Sequence, residues 1–350
     1  MKERRPFTAG FTLVELLASF ATLLVLLVIL SGIVTQTAKT WRFTTTKVEE
    51  FHASRDAFES IARRLSQATL NTYWDYQYSG TGTQQIPVKY IRQSDLRFLS
   101  GGAQTVTNAT QPLRPTHAIF FQAPFGFVDE PNTIGAPDFS GLGSLLNTWG
   151  YFVEFNSDAA QRPSFLNGLT TSVPERYRFR LVELMQPSNN LNLYNLTSGH
   201  LTYTGLDWIT VPLTSTKPPV HTLADNVIAL VVLPKLSKEE DPTGTALAPS
   251  YSYDSTATNA DPNLNPKNQL PPLIQVTLVA MDETSAARIA NGATPPDLGV
   301  GALFNTTDPS GASKFASDLK SLEDNLSAKR LNFRTFTTSV AIRSAKWSRF

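Results

Sequence analysis

An apolar run close to the N-terminus constrains this 350-residue chain more than any other feature. No charged side chain occurs from Leu16 to Ala38, and a helix of about 20 apolar residues crosses the hydrocarbon core of a bilayer. Three basic residues precede the run, whereas Lys39 is the first one after it. Because positive flanking charge stays in the cytoplasm, the sequence predicts a single-pass protein with a cytoplasmic N-terminus and an extracytoplasmic remainder.

Glu15 lies at the start of this apolar segment, where an unpaired carboxylate costs about 2.5–3.5 kcal/mol. Cleavage between Gly10 and Phe11 would create an α-amino group four residues before Glu15. In a bundle of apolar helices, that amine on one subunit would neutralise the carboxylate of a neighbour. The competing interpretation is an ordinary signal peptide or signal anchor, although Ser31-Gly32-Ile33 is a poor site for a signal peptidase.

The segment Gly10-Phe11-Thr12-Leu13-Val14-Glu15-Leu16-Leu17 resembles the processing motif of type IV pilins and type II secretion pseudopilins. The resemblance implies a leader over residues 1–10, which a prepilin peptidase removes after Gly10, and methylation of the new amine of Phe11. It also implies that Glu15 sets the register between subunits.

The same resemblance implies a transmembrane helix over residues 11–34 in the bacterial inner membrane. That helix would pack against those of other pilin or pseudopilin subunits, with the C-terminal domain in the periplasm. Gly32 departs from the pattern, because many major subunits have a helix-breaking proline there, and this favours a minor subunit. Type II secretion, type IV pili, competence pili and lineage-specific filaments share the motif, so the machine stays open.

Helical periodicity continues beyond the membrane segment, over residues 35–72, since no Pro or Gly occurs from Lys39 to Asn71. A single extracytoplasmic domain over 73–350 follows. Val227–Leu233 is almost continuous in Val, Ile and Leu, which predicts a central strand. The other strands predicted from apolar or alternating runs are Ala118–Gln122, Tyr151–Phe155, Arg176–Met185, Leu273–Met281 and Phe333–Arg343, and a late helix is predicted over Lys314–Lys329.

These elements predict an α+β fold. A long N-terminal transmembrane helix would continue into a spine helix packed on a mainly antiparallel sheet, as in minor pseudopilins. Two segments, 237–272 and 290–311, are rich in Pro, Ser, Thr, Asn and Asp. Their length without regular structure predicts mobile surface loops, with a partner-binding surface as the alternative.

A second, looser resemblance covers the domain. Four strand phrases, which begin at Tyr177, Leu223, Pro271 and Phe336, occur in an order that resembles that of the J-type minor pseudopilins. The phrase Arg176-Tyr177-Arg178-Phe179-Arg180-Leu181, with Glu183 and Met185-Gln186-Pro187 after it, resembles still more the Verru_Chthon cassette protein C family. That family is itself pilin-like, and the resemblance implies no biochemical activity.

Residues that carry catalytic chemistry are scarce. The chain has no cysteine, its four histidines are isolated, and no nucleophile elbow, phosphate loop or dinucleotide fingerprint occurs. Glu239-Glu240-Asp241 could attract calcium, but the alternating spacing of a calcium loop is absent, so a solvated charge run is the favoured interpretation. Asp254 and Asp261 lie in the same loop, and the resemblance to pseudopilins, some of which bind calcium, makes them further candidate ligands. We therefore expect no cofactor and no enzyme. Thirty basic against twenty-nine acidic residues also give no overall attraction for nucleic acid.

The sequence thus favours a non-enzymatic structural subunit of a filament or its tip. The alternative is a membrane-anchored extracytoplasmic protein whose long loops bind DNA or a surface polymer. An extracytoplasmic enzyme is the third hypothesis, disfavoured by the missing catalytic constellation.

Overall fold

The computed structural model describes residues 12–49, 51–80, 82, 85–129, 143–159, 162–163, 165, 173–191, 196–197, 200–201 and 205–348, with backbone alone at 39–49, 196–197 and 200–201. The chain divides after Glu50 into two compact units. The first contains one long helix, and the second contains α-helices and antiparallel sheets. The predicted α+β class is confirmed at this level.

The first unit consists of helix α1, Leu13–Glu49. Its part from Leu13 to Ala38 is 26 residues long and apolar enough to span a membrane. At a rise of about 1.5 Å per residue, such a stretch measures about 39 Å, which exceeds the roughly 30 Å of a hydrocarbon core. Every side chain of this stretch that the structure describes is exposed.

The second unit begins with helix α2, His52–Leu65, where the sequence predicted one helix running unbroken to residue 72. No side chain caps the start of α2: Phe51 occupies the cap position with φ −102° and ψ −2°. Because neither a capping side chain nor Pro or Gly marks the break, the local sequence does not reveal it. Helix α2 buries Ala57, Phe58 and Ile61 against the domain.

The larger sheet is antiparallel, and within the described residues it has the strand order β11-β3-β4-β5-β6-β9. Its central strands β4 and β5 are almost wholly buried, as aromatic and β-branched runs favour. The bounds are β3 Leu99–Gly102, β4 His117–Pro124, β5 Leu146–Ser157, β6 Tyr177–Gln186, β9 Val220–Asp225 and β11 Tyr253–Asp254.

A smaller antiparallel sheet of the described chain has the order β10-β12-β13, with bounds Val227–Lys235, Leu273–Met281 and Phe333–Ala341. The prediction that Val227–Leu233 is a central strand is wrong, because β10 is at the edge of this sheet. It is nevertheless buried, since it also lies against β4, β5 and β6 of the larger sheet. Continuous apolarity therefore reports burial on both faces and not position in the sheet.

Helix α2 contacts β9, β12 and β13, so the first helix and the last strand of the domain share one core, as predicted. The rings of Phe58 and Phe336 lie 5.8 Å apart. The chain after β13 also returns to α2, where Arg343 N–H donates to Ser66 O at 3.0 Å. The other helices are α3 Ala103–Val106, α4 Asp207–Leu213, α5 Glu283–Ile289 and α6 Phe315–Ala328, the last confirming the late helix.

Two further strand pairs complete the described domain. Strands β1, Tyr73–Ser79, and β2, Ile86–Gln93, form an antiparallel hairpin that the sequence did not predict. Strands β7, Leu196–Thr197, and β8, His200–Leu201, form a short pair.

The two long segments are only partly the surface loops that their composition predicts. In 237–272, Leu247, Tyr251 and Tyr253 are buried, and Tyr253 Oη donates to Gln269 O at 2.9 Å. In 290–311, Phe304 is buried. Both segments are therefore joined to the core by aromatic anchors within an otherwise polar composition.

Candidate functional site

The first candidate region is the start of α1. Gly10 and Phe11 lie outside the described residues. The N–H and the hydroxyl of Thr12 each donate to Glu15 Oε2 at 2.9 Å, and Glu15 N–H donates to Thr12 Oγ1 at 3.3 Å. This reciprocal pair is a capping box, which the Thr-x-x-Glu spacing at 12–15 also signals in the sequence. Glu15 thus has a local role at the N-terminus of α1, where negative charge is favourable.

The candidate calcium ligands bind groups of the protein itself. Arg97 contacts both carboxylate oxygens of Asp254, at 3.1 and 2.6 Å. Asp261 caps the short 3-10 helix Pro262–Leu264 and accepts a bond from Asn263 N–H at 2.9 Å. Among the described residues, no group of three or more metal-binding side chains is close enough to hold an ion. Sequence reasoning placed both aspartates in one loop, and the structure assigns them separate hydrogen-bonding roles.

The β1–β2 hairpin carries the second candidate region, an aromatic face that is open to solvent. All of β1 and residues 86–90 of β2 are exposed. Monomeric proteins rarely leave so many large apolar side chains in water, and such a patch with a polar rim marks an interaction site. The exposed large side chains of the hairpin are Tyr73, Trp74, Tyr76, Tyr78, Ile86, Val88 and Tyr90.

Cross-strand pairing sets which rings share a face. Tyr76 pairs with Tyr90, their ring centres are 4.7 Å apart, and their hydroxyls are 3.1 Å apart. The Tyr78 ring lies 6.2 Å from that of Tyr76, two residues before it on the same strand. These three tyrosine rings therefore form one cluster on the hairpin.

Trp74 and Arg92 pair across the strands beside this cluster, and the Arg92 guanidinium lies 5.4 Å from the centre of a Trp74 ring. Three residues of other segments hold Arg92 in place. Its guanidinium donates to Gln269 Oε1 at 2.8 Å, to Ser348 Oγ at 2.5 Å and to Lys346 O at 3.4 Å. The hairpin base is thus fixed to the 237–272 segment and to the C-terminal residues.

A cavity of about 290 Å³ lies between β2 and the 237–272 segment. Its lining includes Trp74 and Tyr90 from the hairpin and Asn265 and Gln269 from the segment. The cationic lining residues are Lys89, Arg92 and Lys267, and none of the described residues that line it is acidic. Sequence reasoning identified the segment but missed the hairpin, although alternating aromatics from Tyr73 to Tyr78 before a Gly-rich turn signal one.

His117 is a buried titratable residue with a structural role outside these regions. Its Nδ1 accepts from Val232 N–H at 3.0 Å, and its Nε2 donates to Phe304 O at 2.9 Å. Next to it, Thr116 Oγ1 accepts from Leu230 N–H at 3.1 Å. The two side chains thereby pair backbone groups at the free edge of β10. Burial lowers the pKa of His117 to about 4, so the imidazole is neutral at physiological pH.

Comparisons of this chain with protein-family models, with curated proteins and with solved structures find no match.

Proposed function

We propose that this chain is a non-enzymatic, pilin-like structural subunit, of the minor pilin or minor pseudopilin class. It is anchored in the bacterial inner membrane by α1, with a cytoplasmic N-terminus and an extracytoplasmic domain. After a prepilin peptidase removes residues 1–10, the new N-terminus at Phe11 is methylated. The subunit then assembles through α1 with other pilin or pseudopilin subunits into a filament or its tip.

The observation that carries this proposal is the conjunction of the Gly10–Leu17 motif with an apolar helix whose large side chains are exposed. In residues 13–38 these side chains are between 49% and 78% exposed, and we infer that a bilayer covers them before assembly and neighbouring helices afterwards. Glu15 lies in the first turn of α1, and so within reach of an amine at the head of a neighbouring helix.

Size and loop content support a minor over a major subunit. The globular unit extends from Phe51 to Phe350, and such a bulky head is difficult to place at every position of a closely packed shaft. At a tip, or at widely spaced positions, the same head is accommodated.

The test is to determine the N-terminus of the protein from membranes of cells that contain a prepilin peptidase. We expect a mature chain that begins with N-methylated Phe11, and a Gly10→Val variant that keeps its first ten residues. A Gly32→Val variant is the matched control, because it changes a glycine near a competing cleavage site and is expected to mature normally. An intact Met1 in the wild type, or a cut near Ser31, would refute the proposal.

One observation favours the alternative function, ligand capture by a long loop of a membrane-anchored protein. Asn265, Lys267 and Gln269 of the 237–272 segment line the cavity beside the exposed hairpin. The two functions are compatible, since a subunit at a filament tip would present this region to the surroundings.

A further inference from the structure

The hairpin and its cavity combine exposed aromatic rings with cationic lining residues. The rings of Trp74, Tyr76 and Tyr90 are between 44% and 60% exposed, whereas the aromatic side chains of β4 and β5 are buried. The cavity beside them is lined by three cationic residues and by no described acidic one. A neighbouring cavity of about 220 Å³ adds Lys346, again with no carboxylate among its described lining residues.

The cationic residues around the rings distinguish this region from a purely apolar contact surface. Arg92 lies on the ring face of β2, and Lys267 and Lys346 line the two cavities beside it, so planar groups and negative charges would be bound side by side. Lys89 pairs with Gln77 and lies on the opposite face. Asp75, the acidic residue of the hairpin, pairs with Ile91 and therefore lies on the opposite face from Trp74 and Tyr76. A partner that fits must carry both flat rings and regularly spaced anionic groups.

We propose that the hairpin and the cavity bind single-stranded nucleic acid. Bases stack on Trp74 and the tyrosine cluster, while Arg92, Lys267 and Lys346 neutralise phosphates. Same-face side chains along a strand are about 7 Å apart, which leaves room for separate bases. Duplex DNA is disfavoured, because its bases are stacked inside the helix and offer no free face to the rings.

The near-zero net charge of the chain does not oppose this site, because contact with phosphates depends on local charge within about one Debye length. The number of phosphate contacts at the site sets the salt dependence of binding. Three phosphate contacts give a slope of log K against log salt near −2, at about −0.7 per contact for single strands. The inference goes beyond the proposed structural role and does not depend on processing at Gly10.

The experiment measures binding of a fluorescein-labelled oligo(dT) of about 20 nucleotides to the full chain in detergent, by fluorescence anisotropy. We expect saturable binding, a salt slope near −2 and a preference for oligo(dT) over the same length of duplex. Trp74→Ala and Tyr90→Ala should each weaken binding about tenfold, and Trp74→Phe should restore most of it. Lys267→Gln should make the slope shallower by about 0.7.

Two variants serve as matched controls. Phe165 is 72% exposed and Lys320 is exposed on α6, and neither belongs to the hairpin or to the lining of the two cavities. Phe165→Ala and Lys320→Gln should leave affinity and slope unchanged. All these side chains are exposed, so thermal unfolding should be the same in each variant, and a loss of binding is then attributable to the site.

Several outcomes would overturn the proposal. They are an absence of saturable binding, an unchanged affinity of Trp74→Ala, and a salt slope close to zero. Unlabelled alginate and phosphatidylglycerol vesicles test the other polyanions. If either displaces the labelled strand more effectively than unlabelled oligo(dT) does, the region recognises an acidic polysaccharide or a lipid surface instead.

Discussion

Arg64 of α2 and Glu183 of β6 form an ion pair in which the Glu183 side chain is only 5% exposed and that of Arg64 29%. The same Glu183 oxygen accepts a bond from Trp149 Nε1–H at 2.6 Å. The Arg64 guanidinium also lies 4.6 Å from the centre of a Trp149 ring. Helix α2 is thereby joined to the centre of the larger sheet by a charged contact in a largely desolvated place.

Removal of Arg64 is expected to destabilise the domain strongly, because it leaves the Glu183 carboxylate buried without its cationic partner. Arg64→Ala should lower the free energy of unfolding by about 3 kcal/mol, as measured by urea unfolding of the full chain. Arg55→Ala is the matched control on the same helix. Its pair with Glu59 is 66% and 63% exposed, so the expected loss is under about 0.5 kcal/mol. Equal losses in the two variants would contradict this assignment.

The low pKa of His117 predicts that the folded chain loses stability in mild acid. Its pKa is about 4 in the folded chain against 6.5 as the ordinary value, so between these pH values the unfolded chain binds more protons. Stability from this residue is therefore complete above pH 6.5 and decreases as pH falls towards 4, by about 3 kcal/mol in all.

The measurement is urea unfolding at a series of pH values between 7 and 4, for the wild type and for His117→Gln. Other groups also titrate in this range, so the difference between the two proteins isolates the histidine. The variant should be less stable at pH 7 because the β10 edge loses a partner, and the gap should narrow on acidification. A gap that stays constant over the range would show that His117 does not carry the effect.

Gly150 is required by close packing against Phe120, its partner across β4 and β5. A Cβ at this position would lie 2.1 Å from Phe120 Cδ1. Gly150→Ala should therefore cost about 1–3 kcal/mol of unfolding free energy through overpacking.

The control is Gly143→Ala, since a Cβ at Gly143 meets nothing within 4 Å. It is expected to leave the urea midpoint nearly unchanged. In a double-mutant cycle, Phe120→Leu should recover part of the loss in Gly150→Ala, because it frees space beside the new methyl group. Strict additivity of the two substitutions would argue against a direct clash.

Glu15 combines a capping role seen in the structure with a proposed charge role between subunits, and two substitutions separate them. Glutamine at the third helical position still forms a capping box but carries no charge. If assembly depends on neutralising a neighbour's amine, both Glu15→Gln and Glu15→Ala should abolish incorporation into filaments. If capping is the only function, Glu15→Gln should assemble like the wild type. Incorporation is measured by crosslinking of α1 between subunits in membranes.

Most of the correctly predicted helices and strands were predicted from local periodicity. The bounds of β12 agree residue for residue with the predicted strand Leu273–Met281, because its alternation and β-branched content are local properties. The start of α2 at His52 was missed, since Phe51 occupies its cap position without a capping side chain. The predicted position of β10 in its sheet was wrong. A central strand and a covered edge strand are both buried on all sides, so their sequences have the same apolar pattern.

What the sequence alone determined is the N-terminal apolar segment with Glu15 in it, and the periods of the helices and strands that follow. These depend on side chains a few residues apart. Only the tertiary structure decided the hairpin site and the role of His117, because Arg92 contacts Gln269 across 177 residues and His117 contacts Val232 across 115. Such contacts arise from how the sheets pack, and no local pattern encodes that packing.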